Sequence, residues 1–314
     1  MPLDPIITEA DTRAYALMSS TPVSSPTEQR ALALRIDEEI VLPLVASPPP
    51  VDVRTETVPV PGRDDVTVHV YTPESESAAG GYLFFFGGAF RQGGLHFPSV
   101  DAVLRSRAAK AGTVIVAPDY ALAPEEPYPI ALAQAAAVLH WMTEQADALG
   151  IDPAAVSIGG MSAGGDIAAV LALMNRDGDG IPIRRQILEV PVSDLTGGHL
   201  SLEVARDLGL DESTMVPMMR ELADNYLAGA DPTAPTASPL FAPDLSGLPD
   251  AHVLVAEVDV FRGDGEAYAA ALQEHGTPAT LHHFTGMTHG SLAYTKDVAG
   301  AQEWERTVVD LLRG

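Results

Sequence analysis

The stretch Ala155 to Asp166 reads AVSIGGMSAGGD, and the fold turns on it. A short apolar run (Ala155, Val156, Ile158) meets Gly160-Met161-Ser162-Ala163-Gly164, and an apolar helical pattern continues through Leu173. That is a strand, a sharp turn and a helix, with a serine on the turn. Small residues two positions either side of the serine let strand and helix nearly touch while its own backbone is strained. The helix N-terminus behind Ser162 directs unpaired N–H groups toward its oxygen. A bare G-x-S-x-G string is common, and such a serine also serves as a turn residue and helix cap. The strand-turn-helix context favours a nucleophile.

The pattern repeats on both sides. Buried strands are expected at Tyr82–Phe86, Thr113–Ala117, Ala155–Ile158, Gln186–Val190, His252–Val258 and Thr280–Phe284. Helical patterns at Ser99–Ala111, Ile130–Leu149, Gly165–Asn175 and Gly265–His275 separate most of them. Near-continuous apolar strands alternating with helices indicate a mostly parallel sheet covered on both faces. Before it, Arg54–Val60 and Val66–Tyr71 alternate around Pro61-Gly62-Arg63-Asp64 as an antiparallel hairpin, which brings the sheet to about eight strands. Upstream of the stiff Pro48-Pro49-Pro50 linker, Thr8–Met18 and Ser25–Leu42 read as helices, the second opened by Ser25 with Pro26 at its first position.

In such sheets ligands sit beyond the carboxyl ends of the strands. After Phe86 come Gly87-Gly88-Ala89-Phe90, where bare backbone can present N–H groups to an oxyanion, or simply make a tight turn. After the fifth of these strands comes Asp259, and after the sixth Thr285-Gly286-Met287-Thr288-His289-Gly290 places a histidine on a loop. The order along the chain is Ser162, Asp259, His289. This is the serine-acid-histidine order of one of the known triad arrangements, unlike the trypsin and subtilisin orders.

Composition narrows the classes. The 314 residues are 46% hydrophobic, with no apolar run near the ~18–20 residues of a membrane span. The start, MPLDPIITEAD, has early acids and no apolar segment, so it does not read as a secretory signal and a cytoplasmic location is expected. Absence of cysteine excludes disulfides, thiolate metal sites and a cysteine nucleophile. A net charge of −25, with Lys110 and Lys296 the only lysines, repels nucleic acid and anionic lipid and gives no help to anionic substrates.

Taken together these segments resemble a bacterial hormone-sensitive-lipase-like (family IV) carboxylesterase of the α/β-hydrolase superfamily. Gly87-Gly88-Ala89-Phe90 is similar to that family's H-G-G-G/A-F loop, and Asp119-Tyr120-Ala121-Leu122-Ala123-Pro124-Glu125 to its D-Y-R-L-A-P-E segment. Gly160–Gly165 is similar to its G-D/T-S-A-G-G elbow and Ser238-Pro239-Leu240 to its S-P-L turn. Asp259–Gly265 is similar to D-P-L-R-D-E-G, and Gly286–Gly290 to G-x-x-H-G. The likeness covers roughly residues 50–314. It implies one α/β-hydrolase domain over 1–314, with a helical cap from about 1–48 and about 195–236. It implies catalysis by Ser162, His289 and Asp259, with the oxyanion among the N–H groups of Gly88, Ala89 and Ala163, and no metal or organic cofactor. The implied reaction is hydrolysis of small to medium uncharged acyl esters through an acyl-enzyme. An amidase or lactonase would use the same triad, and non-hydrolytic or ligand-binding relatives share the fold. Homodimers are frequent among such relatives and are expected by analogy.

Four positions depart from the family pattern: Phe86 for histidine, Ala89 for the last glycine, Ala121 for arginine, and Met161 beside the serine. Phe86 removes a polar brace of the oxyanion loop. Phe90, Met161, Met215, Met218 and Met219 are candidate pocket residues; for the three cap methionines, with Leu222 and Tyr226 at helical spacing from Asp211 or Ser213 onward, packing of the cap accounts for the same pattern. Asp264 is a weaker rival to Asp259 because it lies further from the strand end. His282 and His283 are consecutive on a strand and so face opposite ways, one packed and one solvated.

Overall fold

The computed structural model describes residues 3–74, 80–209 and 212–314, without the side chains of Glu212, Thr214, Val216 and Met218. In chain order its elements are α1 (Pro5–Ser20), α2 (Pro26–Ile36), β1 (Asp52–Val58), β2 (Val66–Thr72), β3 (Gly81–Phe85), α3 (Pro98–Ala111), β4 (Val114–Pro118), α4 (Ile130–Glu144) and α5 (Ala146–Leu149). There follow β5 (Ser157–Met161), α6 (Ala163–Asp177), β6 (Arg185–Glu189), α7 (Leu202–Asp207), α8 (Glu212–Leu227), β7 (Asp250–Val258), α9 (Arg262–Glu274), β8 (Ala279–Thr288) and α10 (Ala299–Arg313).

The eight strands form one sheet in the order β1-β2-β4-β3-β5-β6-β7-β8. β2 runs antiparallel to β1 and β4, and every other pairing is parallel. All five residues of β3 and of β4 are buried, which is why these strands read as unbroken apolar runs. β3 has β4 on one side and β5 on the other, so the chain switches direction there and opens a crevice at the strands' carboxyl ends. The register Phe85↔Gly160 sets the loop after β3 level with the turn after β5. α3 packs on α10, and α4 on α6.

Three expected boundaries differ for local reasons. The helix expected over Ser25–Leu42 ends at Ile36, and Asp37–Val41 winds as a π-turn. There the buried Asp37 carboxylate turns to accept from the N–H and hydroxyl of Ser99 at the start of α3. Ile130–Leu149 is two helices, interrupted at Gln145. Ala155 belongs to a 3-10 turn over Pro153–Ala155, opened by Asp152 accepting from the N–H of Ala154, so β5 begins at Ser157. α7 breaks the 195–236 segment and was not anticipated from sequence.

A charge cluster lies inside this apolar frame. Arg107 of α3 grips Glu189, at the end of β6, through two bonds of 2.7 and 2.8 Å, and its Nε donates to Glu305 of α10 at 3.0 Å. Trp304 Nε1 and Ser106 Oγ donate to the same two carboxylates. Arg107, Glu189 and Glu305 are all buried, and Lys110 adds a half-exposed contact at 3.5 Å. One guanidinium thus serves two carboxylates, and taking it away leaves Glu189 without a cation and Glu305 with only the half-exposed Lys110. Arg107→Met is therefore expected to cost on the order of 3–5 kcal/mol of unfolding free energy, measured by denaturant melts; a loss below about 1 kcal/mol would contradict this account of the cluster.

Candidate active site

Ser162 caps the N-terminus of α6 with φ 55° and ψ −119°, a conformation rarely adopted by a side-chain-bearing residue. The crowding around it explains the glycines. A Cβ on Gly164 would stand 2.1 Å from the Phe85 carbonyl oxygen, and one on Gly160 2.4 Å from that of Gly164. The Ser162 N–H is held by the Glu189 carbonyl at 2.8 Å, so the charge cluster bears directly on the turn.

Ser162 Oγ lies 2.9 Å from His289 Nε2, and His289 Nδ1 lies 2.7 Å from Asp259 Oδ2. The other carboxylate oxygen, Oδ1, accepts from the Phe261 N–H at 2.9 Å. Asp259 is buried, while a third of the His289 side chain stays exposed. Burial opposes the imidazolium, but the Asp259 charge and hydrogen bond outweigh it, and the imidazole is held above its usual pKa. A base so placed can take a proton from the hydroxyl while the carboxylate fixes its tautomer.

The loop after β3 runs beside the serine: a Cβ on Gly87 would come within 3.3 Å of Ser162 Cβ. Gly88 has φ 144°, and a Cβ there would sit 1.9 Å from the Gln92 carbonyl oxygen, so only glycine fits. Ala89 and Phe90 follow at φ 54° and 60°. Among the described residues none accepts a hydrogen bond from the N–H of Gly88, Ala89 or Ala163. Phe86 takes up its changed role by packing: its ring stacks on Tyr120 at 4.1 Å, and the Tyr120 hydroxyl donates to the Phe86 carbonyl at 2.7 Å. At the Ala121 departure, the side-chain oxygen of Gln134 accepts from the backbone N–H at 2.7 Å.

Of the candidate pocket residues, Met161 is half-buried beside the serine. Phe90 is buried with its ring stacked at 3.8 Å on Tyr226 of α8. Met215 and Met219 are buried against Leu200, Ala205, Val260 and Phe261. Met218, by its side chain, and Asp211 lie outside the described residues. The Asp264 carboxylate accepts from the N–H groups of Ser193 and Asp194, and among the described residues it shares no hydrogen bond with His289. His282 is half-buried, 3.1 Å from His252, and His283 is exposed.

Several contributing residues escaped the sequence reading. Arg30 of α2 donates to the carbonyls of Arg91 and Ala123 and pairs with Glu125, docking α2 beside the loop that follows β3. Phe261 lies against His289 with ring centroids 5.2 Å apart. Glu189 did leave a trace in sequence, as an acid ending a buried strand, which requires a cation nearby.

A strained serine on a strand-helix elbow, bonded to a histidine that is bonded to a buried acid, defines a serine-hydrolase-like centre on an α/β sheet. A family model described as alpha/beta hydrolase fold matches residues 82–293. The chain is 36% identical over 265 residues to carboxylesterase NlhH of Mycobacterium tuberculosis, spanning 81% of this chain and 80% of that protein. Among solved structures, the metagenomic thermophilic carboxylesterase EstE1 superposes with a TM-score of 0.82 at 31% identity, covering 92% of this chain and 97% of that one. The hyperthermophilic esterase of Pyrobaculum calidifontis gives 0.85 at 29% identity, covering 100% and 98%. The chain belongs to the α/β-hydrolase superfamily, in its hormone-sensitive-lipase-like branch, and is a carboxylic-ester hydrolase. No helix among the described residues is long and apolar enough to cross a membrane.

Beneath the elbow, Asp166 in the first turn of α6 is fully buried, and neither of its oxygens has a hydrogen-bond partner among the described residues. Burial, reinforced by the nearby Asp264, pushes its pKa well up, and burial pushes Asp264 up to about 7. A carboxyl whose folded pKa exceeds its unfolded value keeps its proton in the native state, so stability falls as pH rises from about 4 through the folded value. Asp166→Asn removes that penalty at Asp166. Its melting temperature should exceed that of the parent at pH 8 and converge with it near pH 4.5, by calorimetry at both values; a pH-independent difference would refute the buried-acid account.

Proposed function

We propose that the chain is a serine carboxylesterase acting on small to medium uncharged acyl esters. Ser162 attacks the ester carbonyl, and His289 takes its proton and returns it to the leaving alcohol. Asp259 holds the histidine tautomer and stabilises the imidazolium. The tetrahedral oxyanion is received by the N–H groups of Gly88, Ala89 and Ala163, and water then releases the acyl group by the same steps reversed. We take helices α1 and α2 with the 195–236 segment as the cap over the crevice: Arg30 ties α2, and Arg91–Glu221 and the Phe90–Tyr226 stack tie α8, to the loop after β3.

The observation that carries this reading is the unbroken hydrogen-bonded line from Asp259 through His289 to Ser162. The preference for uncharged substrates rests on the net charge of −25, which disfavours approach of anions.

Hydrolysis of nitrophenyl esters of increasing acyl length tests both parts. Short to medium chains should turn over fastest. Ser162→Ala should lower kcat by several orders of magnitude, up to about 10⁶-fold as loss of the nucleophile does elsewhere. Comparable turnover by the variant would remove Ser162 from its role, and faster cleavage of matched anilides would replace the ester reading with an amide one.

The pH profile is a separate check. The base must be neutral to act, and its pKa lies above the usual 6.5 of histidine. The acidic limb of kcat/KM should therefore fall away as pH drops through a value above 6.5. A limb centred well below that would mean the Asp259 charge does not act on the base.

A further inference from the structure

Phe261 contacts Asp259 through its main chain, and His289 and a buried cluster of the 195–236 segment through its side chain. Its backbone N–H bonds the oxygen of Asp259 that His289 leaves free. Its ring lies 5.2 Å from the His289 ring, with the planes inclined at 50°. It also packs against the cluster of Leu200, Ala205, Met215 and Met219, all buried. The same side chain thus meets both the imidazole and a cluster to which α7 and α8 contribute.

The contact matters because His289 changes charge during turnover. An aromatic face attracts a cation within about 6 Å of its centroid and does little for a neutral ring. At pH values where the resting imidazole is neutral, the imidazolium forms as Ser162 gives up its proton, so the attraction grows between ground state and transition state. A contact of that kind lowers the barrier and leaves substrate binding alone. The inclined rings also limit how far the imidazole can swing away from Ser162 as it passes its proton to the leaving oxygen.

We propose that Phe261, backed by the methionine-containing cluster of α7 and α8, is a positioning residue that holds His289 and favours its charged form during turnover. The proposal rests on His289 being the base. His289→Asn is therefore run alongside: if it keeps activity, the triad reading fails, whereas a dead His289→Asn beside an unaffected Phe261 variant overturns only the present inference.

The test is steady-state kinetics on a nitrophenyl acetate and a nitrophenyl butyrate, with melting temperatures measured in parallel. Phe261→Leu keeps an apolar side chain of similar bulk and removes the π-face. It should lower kcat about threefold to thirtyfold, the range spanned by exposed to desolvated cation–π contacts, with KM changed less than twofold on both esters. Phe261→Tyr restores an aromatic face and should recover most of that loss. Three outcomes would overturn the proposal: an unchanged kcat in Phe261→Leu, a loss confined to KM, or equal losses in the leucine and tyrosine variants. A kcat loss in Phe261→Leu that disappears when both proteins are assayed at equal distance below their melting temperatures would also do so, by showing a purely structural role.

Discussion

The close passage of β5, α6 and the end of β3 is the constraint on which the rest depends. Gly160 and Gly164 allow it, because any side chain at either position would collide with a backbone carbonyl at 2.1 to 2.5 Å. With the strand and helix that close, Ser162 has no room for an ordinary turn and is forced to φ 55°. Such backbone costs on the order of 1–3 kcal/mol and persists only where the surroundings impose it. Here they do so through the Glu189 carbonyl on the Ser162 N–H and the register that places Phe85 opposite Gly160.

Glu189 links that local strain to the global packing. Its main chain holds the serine, while its side chain is held by Arg107 and Trp304. Through Glu305 the same arginine reaches α10, so β6, α3 and α10 meet at one charged node below the site. A buried ion pair is weak evidence of net stability, since an apolar replacement of the whole set can do as well. What it supplies is direction: the planar fork donates to its carboxylates in one geometry, whereas a patch of leucines would tolerate sliding.

How much was legible follows from the kind of signal each residue leaves. The parallel sheet and the elbow could be read because buried strands are apolar throughout and because the glycines stand where backbones collide. Asp259 and His289 could be placed because chemistry in this fold sits just past strand ends, and chain order left few rivals. Arg30, Phe261 and the Arg107 node were not legible: their partners lie far away in the chain, and an arginine in a helix looks the same whether it meets water or a carboxylate. The π-turn at Asp37–Val41 escaped for a similar reason, since Asp37 bends toward Ser99, 62 positions on.

The departures from the family pattern are absorbed by contacts of a different kind from those they replace. Phe86 cannot donate a hydrogen bond, yet its ring stacks on Tyr120 while its carbonyl receives the Tyr120 hydroxyl. Tyr120 therefore fixes both the side chain and the main chain at the start of the Gly87–Phe90 loop. On the far side of that loop Tyr226 stacks on Phe90, and Tyr226 belongs to α8. The loop is thus clamped between the body of the sheet and the segment above it by two aromatic pairs. Since Met215 and Met219 of the same helix lie in the cluster that Phe261 packs against, α8 reaches both the Gly87–Phe90 loop and the residue beside His289. A shift of that one helix would move Phe90 and Phe261 together, so, on the proposed reading, the position of the Gly87–Phe90 loop and the alignment of His289 are not independent quantities.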